Sequence, residues 1–92
     1  MRFALIEDRA EERKRIDDML SEFCRERMIS FTTDVFTSGE EFLASFVPMN
    51  YDVVFMDIYM DGMTGIEAAK QMRTQDSHSF LVFLTTSPEH MG

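Results

Sequence analysis

Three short, continuous runs of apolar residues constrain the fold of this chain more than any other feature of its sequence. They are residues 2–6 (RFALI), 51–56 (YDVVFM) and 80–84 (FLVFL). Each run is too short for a helix and is typical of a strand that is buried on both faces. A fourth run, residues 29–36 (ISFTTDVF), alternates in part with polar residues, which predicts an edge strand.

Helical patterns lie between these runs. In residues 9–28, apolar side chains recur at the spacing of one helix face, and we expect that face to be buried. It comprises Ile16, Met19, Leu20, Phe23 and Cys24. Shorter helices are predicted from Ser38 to Phe46 and over residues 66–73. The alternation of strands and helices predicts an α/β fold, a doubly wound and mostly parallel sheet with helices on both faces.

The last residues of the sequence have the features of a helix start. Residues 87–90 (SPEH) supply an N-cap residue, a proline for the first turn and an acid beside it. The sequence ends two residues later, at Gly92. With a length of 92 residues, we expect one domain, residues 1–92, that is incomplete at its carboxyl terminus.

Charge and cysteine content limit the partners and the compartment. The formal net charge is −8 and the pI is about 4.5, which argues against direct binding to nucleic acid, because such binding depends on Lys and Arg. Cys24 is the one cysteine in the sequence, so no disulfide framework is possible. No apolar run is long enough for a membrane span, and the charged start is unlike a signal peptide. We expect a cytoplasmic protein with no membrane contact.

Residues 57–67 (DIYMDGMTGIE) almost form a calcium-binding EF-hand loop. Two of the main ligands are missing. The third loop position is Tyr59, and the twelfth, which should be Glu, is Ala68. An EF-hand loop also follows a helix, whereas residues 51–56 favour a strand. The calcium interpretation is therefore disfavoured.

Acidic side chains follow two of the predicted buried strands. Glu7 and Asp8 come after the first strand, and Asp57 follows the third predicted strand along the chain. The carboxyl ends of parallel strands meet at one edge of the sheet, so these carboxylates should lie close together and repel one another unless a cation binds. Mg2+ suits such a set best. Thr85 ends the fourth strand at the same edge, where its hydroxyl group can donate to an anion. An aspartate, a metal and a hydroxyl suit phosphoryl transfer to a carboxylate.

With these residues in place, the chain resembles the response-regulator receiver domains of two-component signalling. The resemblance is carried by Glu7-Asp8, by residues 57–65 (DIYMDGMTG) and by residues 83–86 (FLTT), and it extends over nearly all of the sequence. The sequence is most similar to those receivers that precede a LytTR-type DNA-binding domain. The resemblance implies a flavodoxin-like receiver fold with strand order 2-1-3-4, in which the fifth strand and the last helices are missing.

The resemblance also implies a role for each site residue. Asp57 would be the phosphoacceptor, and a histidine kinase would supply the phosphoryl group. Asp8 and Asp57 would bind Mg2+ directly, Glu7 would bind it through water, and the backbone carbonyl of Tyr59 would complete the protein ligands. Thr85 would contact the phosphoryl group. The domain would relay a conformational signal, most simply to a DNA-binding output domain outside this chain, and would perform no chemistry beyond its own phosphorylation and dephosphorylation.

The sequence departs from the family pattern in two ways. Asp61 stands where many members have Pro, which adds a negative charge near the site. The family's Lys, its aromatic switch residue and its fifth strand all fall beyond Gly92. Residues 80–84 would then form an exposed apolar edge, and we expect the chain to self-associate, most simply as a homodimer.

Other interpretations remain open at this stage. A haloacid-dehalogenase-like phosphatase also uses an Asp nucleophile after a buried strand, but it needs a second Asp where this chain has Tyr59. A flavin-binding module would place its phosphate against Glu7 and Asp8, which would repel it. Locally, Asp8 is also a candidate helix N-cap, since Asp8 and Glu11 fit a capping box, and Thr85 is also suited simply to closing a strand.

Overall fold

The computed structural model describes residues 1–85, in which four strands and three helices alternate along the chain. The elements are β1 (Arg2–Ile6), α1 (Ala10–Glu26), β2 (Thr32–Phe36), α2 (Gly39–Ser45), β3 (Val53–Asp57), α3 (Gly65–Arg73) and β4 (Phe80–Leu84). All neighbouring strands pair in parallel, in the order β2-β1-β3-β4. The predicted doubly wound parallel sheet is confirmed. The helix predicted from residue 87, together with Thr86 and His90, lies outside the described residues.

Two predicted strand boundaries were wrong by a few residues. β2 begins at Thr32 instead of residue 29, because α1 ends in a tight turn in which Met28 has a φ of 57° and the Ile29 N–H donates to the Cys24 carbonyl at 2.8 Å. β3 extends through Asp57, which pairs with Leu84 of β4. β2 does lie at an edge of the sheet, as its mixed composition predicted.

The predicted buried face of α1 was only partly right. Ile16 and Cys24 are buried, whereas Met19 is 57% exposed and Phe23 is 50% exposed. Residues 16, 20 and 24 are spaced by four, so they form one narrow stripe towards the sheet, and the other two lie beside it. The Phe23 ring instead contacts the Arg27 guanidinium, which lies 3.8 Å from the centroid of the ring.

The main core lies between the sheet and the helices α2 and α3. It contains buried residues from β1, β3, the segments flanking β3 and both helices, namely Ala4, Ile6, Phe42, Tyr51, Val54, Met56, Met60, Ala68 and Met72. Side chains alternate across a strand, so Phe3 and Leu5 project from the opposite face, where right-handed crossovers place α1. The helices thus cover both faces, and β1 and β3 are fixed in the middle of the sheet.

A polar network joins the amino ends of the strands. The Tyr51 hydroxyl donates to Asp34 at 2.7 Å, and the Arg2 guanidinium donates to Asn50 at 2.8 Å. Burial, followed by the bond to Asp34, raises the pKa of Tyr51 to about 12. These contacts link β1, β2 and the start of β3, so the strand register is held at the end opposite the acidic residues.

Candidate functional site

Glu7, Asp8 and Asp57 converge at the carboxyl ends of β1 and β3. Each offers one carboxylate oxygen, and these oxygens all lie within 4.8 Å of one another. Glu7 is 0% exposed and Asp57 is 1% exposed, while Asp8 is partly exposed. The sequence predicted that these three side chains would share one sheet edge, and the structure brings them together there.

The register of the sheet explains this convergence. Ile6 pairs with Met56, so the next residues, Glu7 and Asp57, lie side by side at the carboxyl end of the sheet. The Glu7 N–H donates to the Phe36 carbonyl at 3.1 Å, which extends the ladder with β2 by one residue. The segment entering the loop is a strand, as the sequence favoured, and an EF-hand would need a helix at that point.

Backbone N–H groups orient each of the three carboxylates. Glu7 Oε2 accepts from the Arg9 N–H at 3.0 Å, and Asp57 Oδ1 accepts from the Tyr59 N–H at 3.2 Å. Asp8 Oδ2 accepts from the Asp61 N–H at 3.3 Å. These bonds fix where the oxygens lie, and three carboxylates at this spacing repel one another. An all-oxygen, strongly acidic set of this kind fits a hard divalent cation such as Mg2+.

The alternative role of Asp8 as a helix cap is wrong. The N-cap residue of α1 is Arg9, whose side chain makes no capping hydrogen bond. The Asp8 carboxylate instead receives the N–H of Asp61 from the loop after β3. Asp61, the departure noted in the sequence, therefore contacts Asp8 through its backbone.

The loop between β3 and α3, residues 58–64, is closed by local bonds. The Gly65 N–H donates to the Ile58 carbonyl at 3.1 Å. Thr64 and Glu67 form a capping box at the start of α3, with bonds of 3.0 and 3.2 Å. Those bonds to Thr64 lower the pKa of the Glu67 carboxyl. The sequence reasoning missed this cap, although the spacing of Thr64 and Glu67 in TGIE was a readable signal for it.

Gly65, the first residue of α3, is a second feature that the sequence reasoning left unexplained. A Cβ atom on Gly65 would collide with the carbonyl oxygen of Asp57 and lie 2.9 Å from the carbonyl carbon. The first turn of α3 therefore packs directly against the backbone of the acidic residue. No side chain larger than a hydrogen atom fits between the two.

Tyr59 and Thr85 both lie near the acidic cluster. The Tyr59 side chain is 53% exposed, and its backbone N–H is the group that bonds to Asp57. Thr85 is exposed and directly follows Leu84, whose carbonyl accepts from the Ile58 N–H at 3.1 Å. Thr85 is thus at the same end of the sheet as Asp57, one strand away. The metal and phosphate roles of Tyr59 and Thr85 stay predictions.

Within residues 1–85, no helix combines the length and the apolar character that crossing a bilayer would need.

Comparison with known proteins gives one family. The response regulator receiver domain family matches residues 3–91. The sensory transduction protein LytT of Oceanobacillus iheyensis is 34% identical over 56 residues, which are 60% of this chain and 23% of that protein. The chain therefore matches less than a quarter of the length of this relative.

Two solved structures extend the comparison to the fold. The response regulator TrrA of Thermotoga maritima, in complex with Mg2+-BeF, has a TM-score of 0.78 and is 27% identical, with 97% of this chain and 72% of that chain covered. A structure of the histidine kinase ThkA in complex with TrrA has a TM-score of 0.66 and is 30% identical, with coverage of 92% and 68%.

Proposed function

The chain belongs to the response regulator receiver domain family, a family of signalling domains, and we propose that Asp57 accepts a phosphoryl group from a histidine kinase in a Mg2+-dependent reaction. The observation that carries this proposal is the buried Asp57 carboxylate with the oxygens of Glu7 and Asp8 within 4.8 Å of it. The phosphatase alternative receives no support, because position 59 is Tyr in place of the second Asp.

Mg2+ would be held by the carboxylates of Asp8 and Asp57 and by the Tyr59 carbonyl, with Glu7 acting through water. When bound, the ion supplies positive charge that offsets the charge of the phosphoryl oxygens. TrrA, the similar structure from Thermotoga maritima, was determined with Mg2+-BeF. The donor set of this chain, three converging carboxylates, fits the same ion.

In the transfer step, an oxygen of the Asp57 carboxylate bonds to phosphorus while the bond from phosphorus to the kinase histidine nitrogen breaks. The electron pair of the broken bond stays on the histidine ring, which takes up one proton from water. The products are an aspartyl phosphate and a neutral histidine, so the chain gains one phosphoryl group. The hydrogen bond from the Tyr59 N–H to Asp57 Oδ1 fixes the orientation of the carboxylate at the edge of the sheet. The Thr85 hydroxyl would donate to a phosphoryl oxygen, and that contact would begin the conformational signal.

The direct test uses a small acyl phosphate as donor, so that no kinase need be known. Incubating the chain with acetyl phosphate and Mg2+ is expected to add one phosphoryl group in intact-mass measurement, mapped to Asp57 by peptide analysis. Label that forms equally well with excess chelator would contradict the metal-dependent proposal.

Mg2+ alone is expected to raise the melting temperature. At ten times the dissociation constant, linkage stabilises the fold by about 1.4 kcal/mol, which corresponds to roughly 6–11 °C in a domain of this size. An Asp57→Ala chain loses a ligand and one source of repulsion together. We therefore expect a higher melting temperature without metal and a smaller response to it. A wild-type melting curve that does not move in millimolar Mg2+ would count against the site.

The remaining partners follow from the proposed role. A histidine kinase is the phosphodonor, a pairing of the kind seen between ThkA and TrrA. From the resemblance to receivers that precede a LytTR-type domain, we infer that a separate output domain binds DNA. This chain, with a net charge of −8, makes no direct contact with the DNA. Such a regulator acts in the cytoplasm.

The free side of β4 leads to a prediction about association. In residues 1–85, β4 has a neighbouring strand on one side only, and Phe80, Val82 and Phe83 are 76%, 40% and 39% exposed. An unpaired apolar edge without Lys or Pro recruits other strands. We expect the 92-residue chain to form a homodimer or larger species in light scattering across a concentration series, and Val82→Lys to weaken this association.

Val35 provides the matched control for this experiment. It is 45% exposed on β2, the strand at the opposite edge of the sheet. Val35→Lys introduces the same charge into an edge strand and should leave association through β4 unchanged. A wild-type chain that remains folded and monomeric at high micromolar concentration would show the prediction to be wrong.

A further inference from the structure

The loop after β3 is held from a second side by a residue outside the acidic cluster. Glu40, the second residue of α2, accepts a hydrogen bond from the Met63 N–H to its Oε2 atom at 3.1 Å. The same oxygen lies where a side chain on Gly62 would be, since a Cβ atom there would be 2.8 Å from it. Gly62 has a φ of +77°, a conformation that favours glycine. The loop is therefore shaped to accept this carboxylate.

Three consecutive loop residues thus connect two distant parts of the chain. The Asp61 N–H donates to Asp8 at 3.3 Å, and the Met63 N–H donates to Glu40. Asp8 belongs to the acidic cluster, whereas Glu40 reaches the loop from α2. A shift of the loop away from Glu40 would also disturb the bond to Asp8, since one residue separates the two donors.

The start of α2 gives Glu40 a fixed position. The Ser38 hydroxyl accepts from the Glu41 N–H at 3.0 Å, and Glu41 accepts from the Thr37 N–H at 2.8 Å. Gly39 lies so close to α3 that an added Cβ atom would be 3.0 Å from the Cβ atom of Ala68. Since α2 and α3 pack in near backbone contact, the Glu40 carboxylate is fixed relative to the helix that the loop enters.

From these contacts we propose that Glu40 is a positioning residue for the metal site. Its carboxylate holds residues 61–63 so that the Tyr59 carbonyl and Asp8 meet the cation with little rearrangement. This inference rests on the proposed function, because it assigns Glu40 a part in the Mg2+ affinity of that same site. Losing one charge-assisted hydrogen bond lowers the population of the ordered loop, and the apparent affinity falls with that population.

The test compares Glu40→Ala with Glu40→Gln in the 92-residue chain. Mg2+ affinity is measured by calorimetry at a temperature where circular dichroism shows every variant to be folded. Ala removes the acceptor, and we expect the dissociation constant to rise about tenfold. Gln retains an acceptor oxygen and removes the charge, so it should stay within about threefold of wild type. Glu22→Ala, at an exposed position on α1, controls for the loss of one negative charge.

A purely structural role would lower the melting temperature of Glu40→Ala and leave the Mg2+ affinity of the folded chain unchanged. That result would overturn the proposal. It would also be overturned if Glu40→Gln lost as much Mg2+ affinity as Glu40→Ala, because the charge of Glu40 and not its position would then be responsible.

Amide hydrogen exchange of Asp61 and Met63 gives a readout that needs no metal. We expect it to accelerate at least fivefold in Glu40→Ala.

Mg2+ binding by the wild-type chain separates this inference from the proposed function. If the wild-type chain binds no Mg2+, the metal site itself is wrong, and Glu40 has no role in it. If the wild-type chain binds Mg2+ while exchange and affinity are unaffected in Glu40→Ala, the site stands and only the role of Glu40 is wrong.

Discussion

Asp57→Asn is expected to take up no phosphoryl group from acetyl phosphate and Mg2+. The amide has no nucleophilic carboxylate oxygen, and it removes one of the charges that would hold the cation. The substitution is nearly isosteric, and the amide oxygen can still accept the Tyr59 N–H that bonds to Oδ1 in the native chain at 3.2 Å. The fold should therefore persist, so that intact-mass measurement reports on chemistry and not on unfolding.

Asp61→Asn is the matched control for this loss. Asp61 is an exposed acid in the same loop, and its link to Asp8 uses the backbone N–H, which the substitution retains. Labelling should continue in this variant. The assignment of Asp57 would be wrong if Asp57→Asn still gained a phosphoryl group, or if peptide analysis placed the wild-type label on His78.

The convergence of the three carboxylates could be predicted from the sequence because it follows from topology. Once residues 2–6 and 51–56 are identified as buried parallel strands, Glu7 and Asp57 must lie at the same edge of the sheet, and the register of β1 with β3 brings them side by side. No knowledge of side-chain packing is needed for this step. The same reasoning placed Thr85 at that edge.

Contacts between residues far apart in sequence could not be predicted in this way. Asp76 lies in the polar segment 74–79 between α3 and β4, yet it is only 4% exposed. Its carboxylate accepts from the His78 N–H at 2.6 Å and from the Met49 N–H at 3.2 Å, the latter across 27 residues. Burial alone would raise the pKa of Asp76, but the backbone hydrogen bonds outweigh it, and the pKa lies below its usual value. Single-sequence periodicity contains no information about such a pairing.

The contact of Glu40 with Met63 was missed for the same reason, since it spans 23 residues.

The predicted buried face of α1 was partly wrong for a different reason. Apolar spacing identifies a helix face, but it does not fix which side of that face meets the sheet, so Met19 and Phe23 were expected inside and are half exposed. Local pattern and topology thus determined the elements and the site edge, while tertiary contacts determined the orientation of the loop.

Gly65→Ala is expected to destabilise the fold by about 2–4 kcal/mol, which lowers the melting temperature by roughly 8–32 °C. The new Cβ atom would collide with the Asp57 carbonyl oxygen and lie 3.0 Å from the Ile58 Cα atom. Both atoms are backbone at the end of a central strand, so neither can move as a flexible side chain does. The higher helix propensity of Ala, about 1 kcal/mol in a helix interior, offsets only part of this cost. Thermal unfolding measures the difference.

Gly39→Ala is the matched control, because Gly39 and Gly65 each occupy the first position of a helix, after the N-cap residues Ser38 and Thr64. The added Cβ atom would meet side-chain atoms, 3.0 Å from Ala68 Cβ and 3.4 Å from Met63 Sδ. We expect a smaller loss than at Gly65, since the methionine can adjust and the Ala68 Cβ atom needs to move by only a few tenths of an ångström.

The collision at Gly65 also connects stability with chemistry. The atom that must yield is the carbonyl oxygen of Asp57 itself, so any relaxation that accommodates the added methyl group displaces the residue proposed to accept the phosphoryl group. A folded Gly65→Ala chain should therefore label more slowly than a Gly39→Ala chain when both are measured well below their melting temperatures. Equal melting temperatures and equal labelling rates in the two variants would mean that the end of β3 is not held by the first turn of α3.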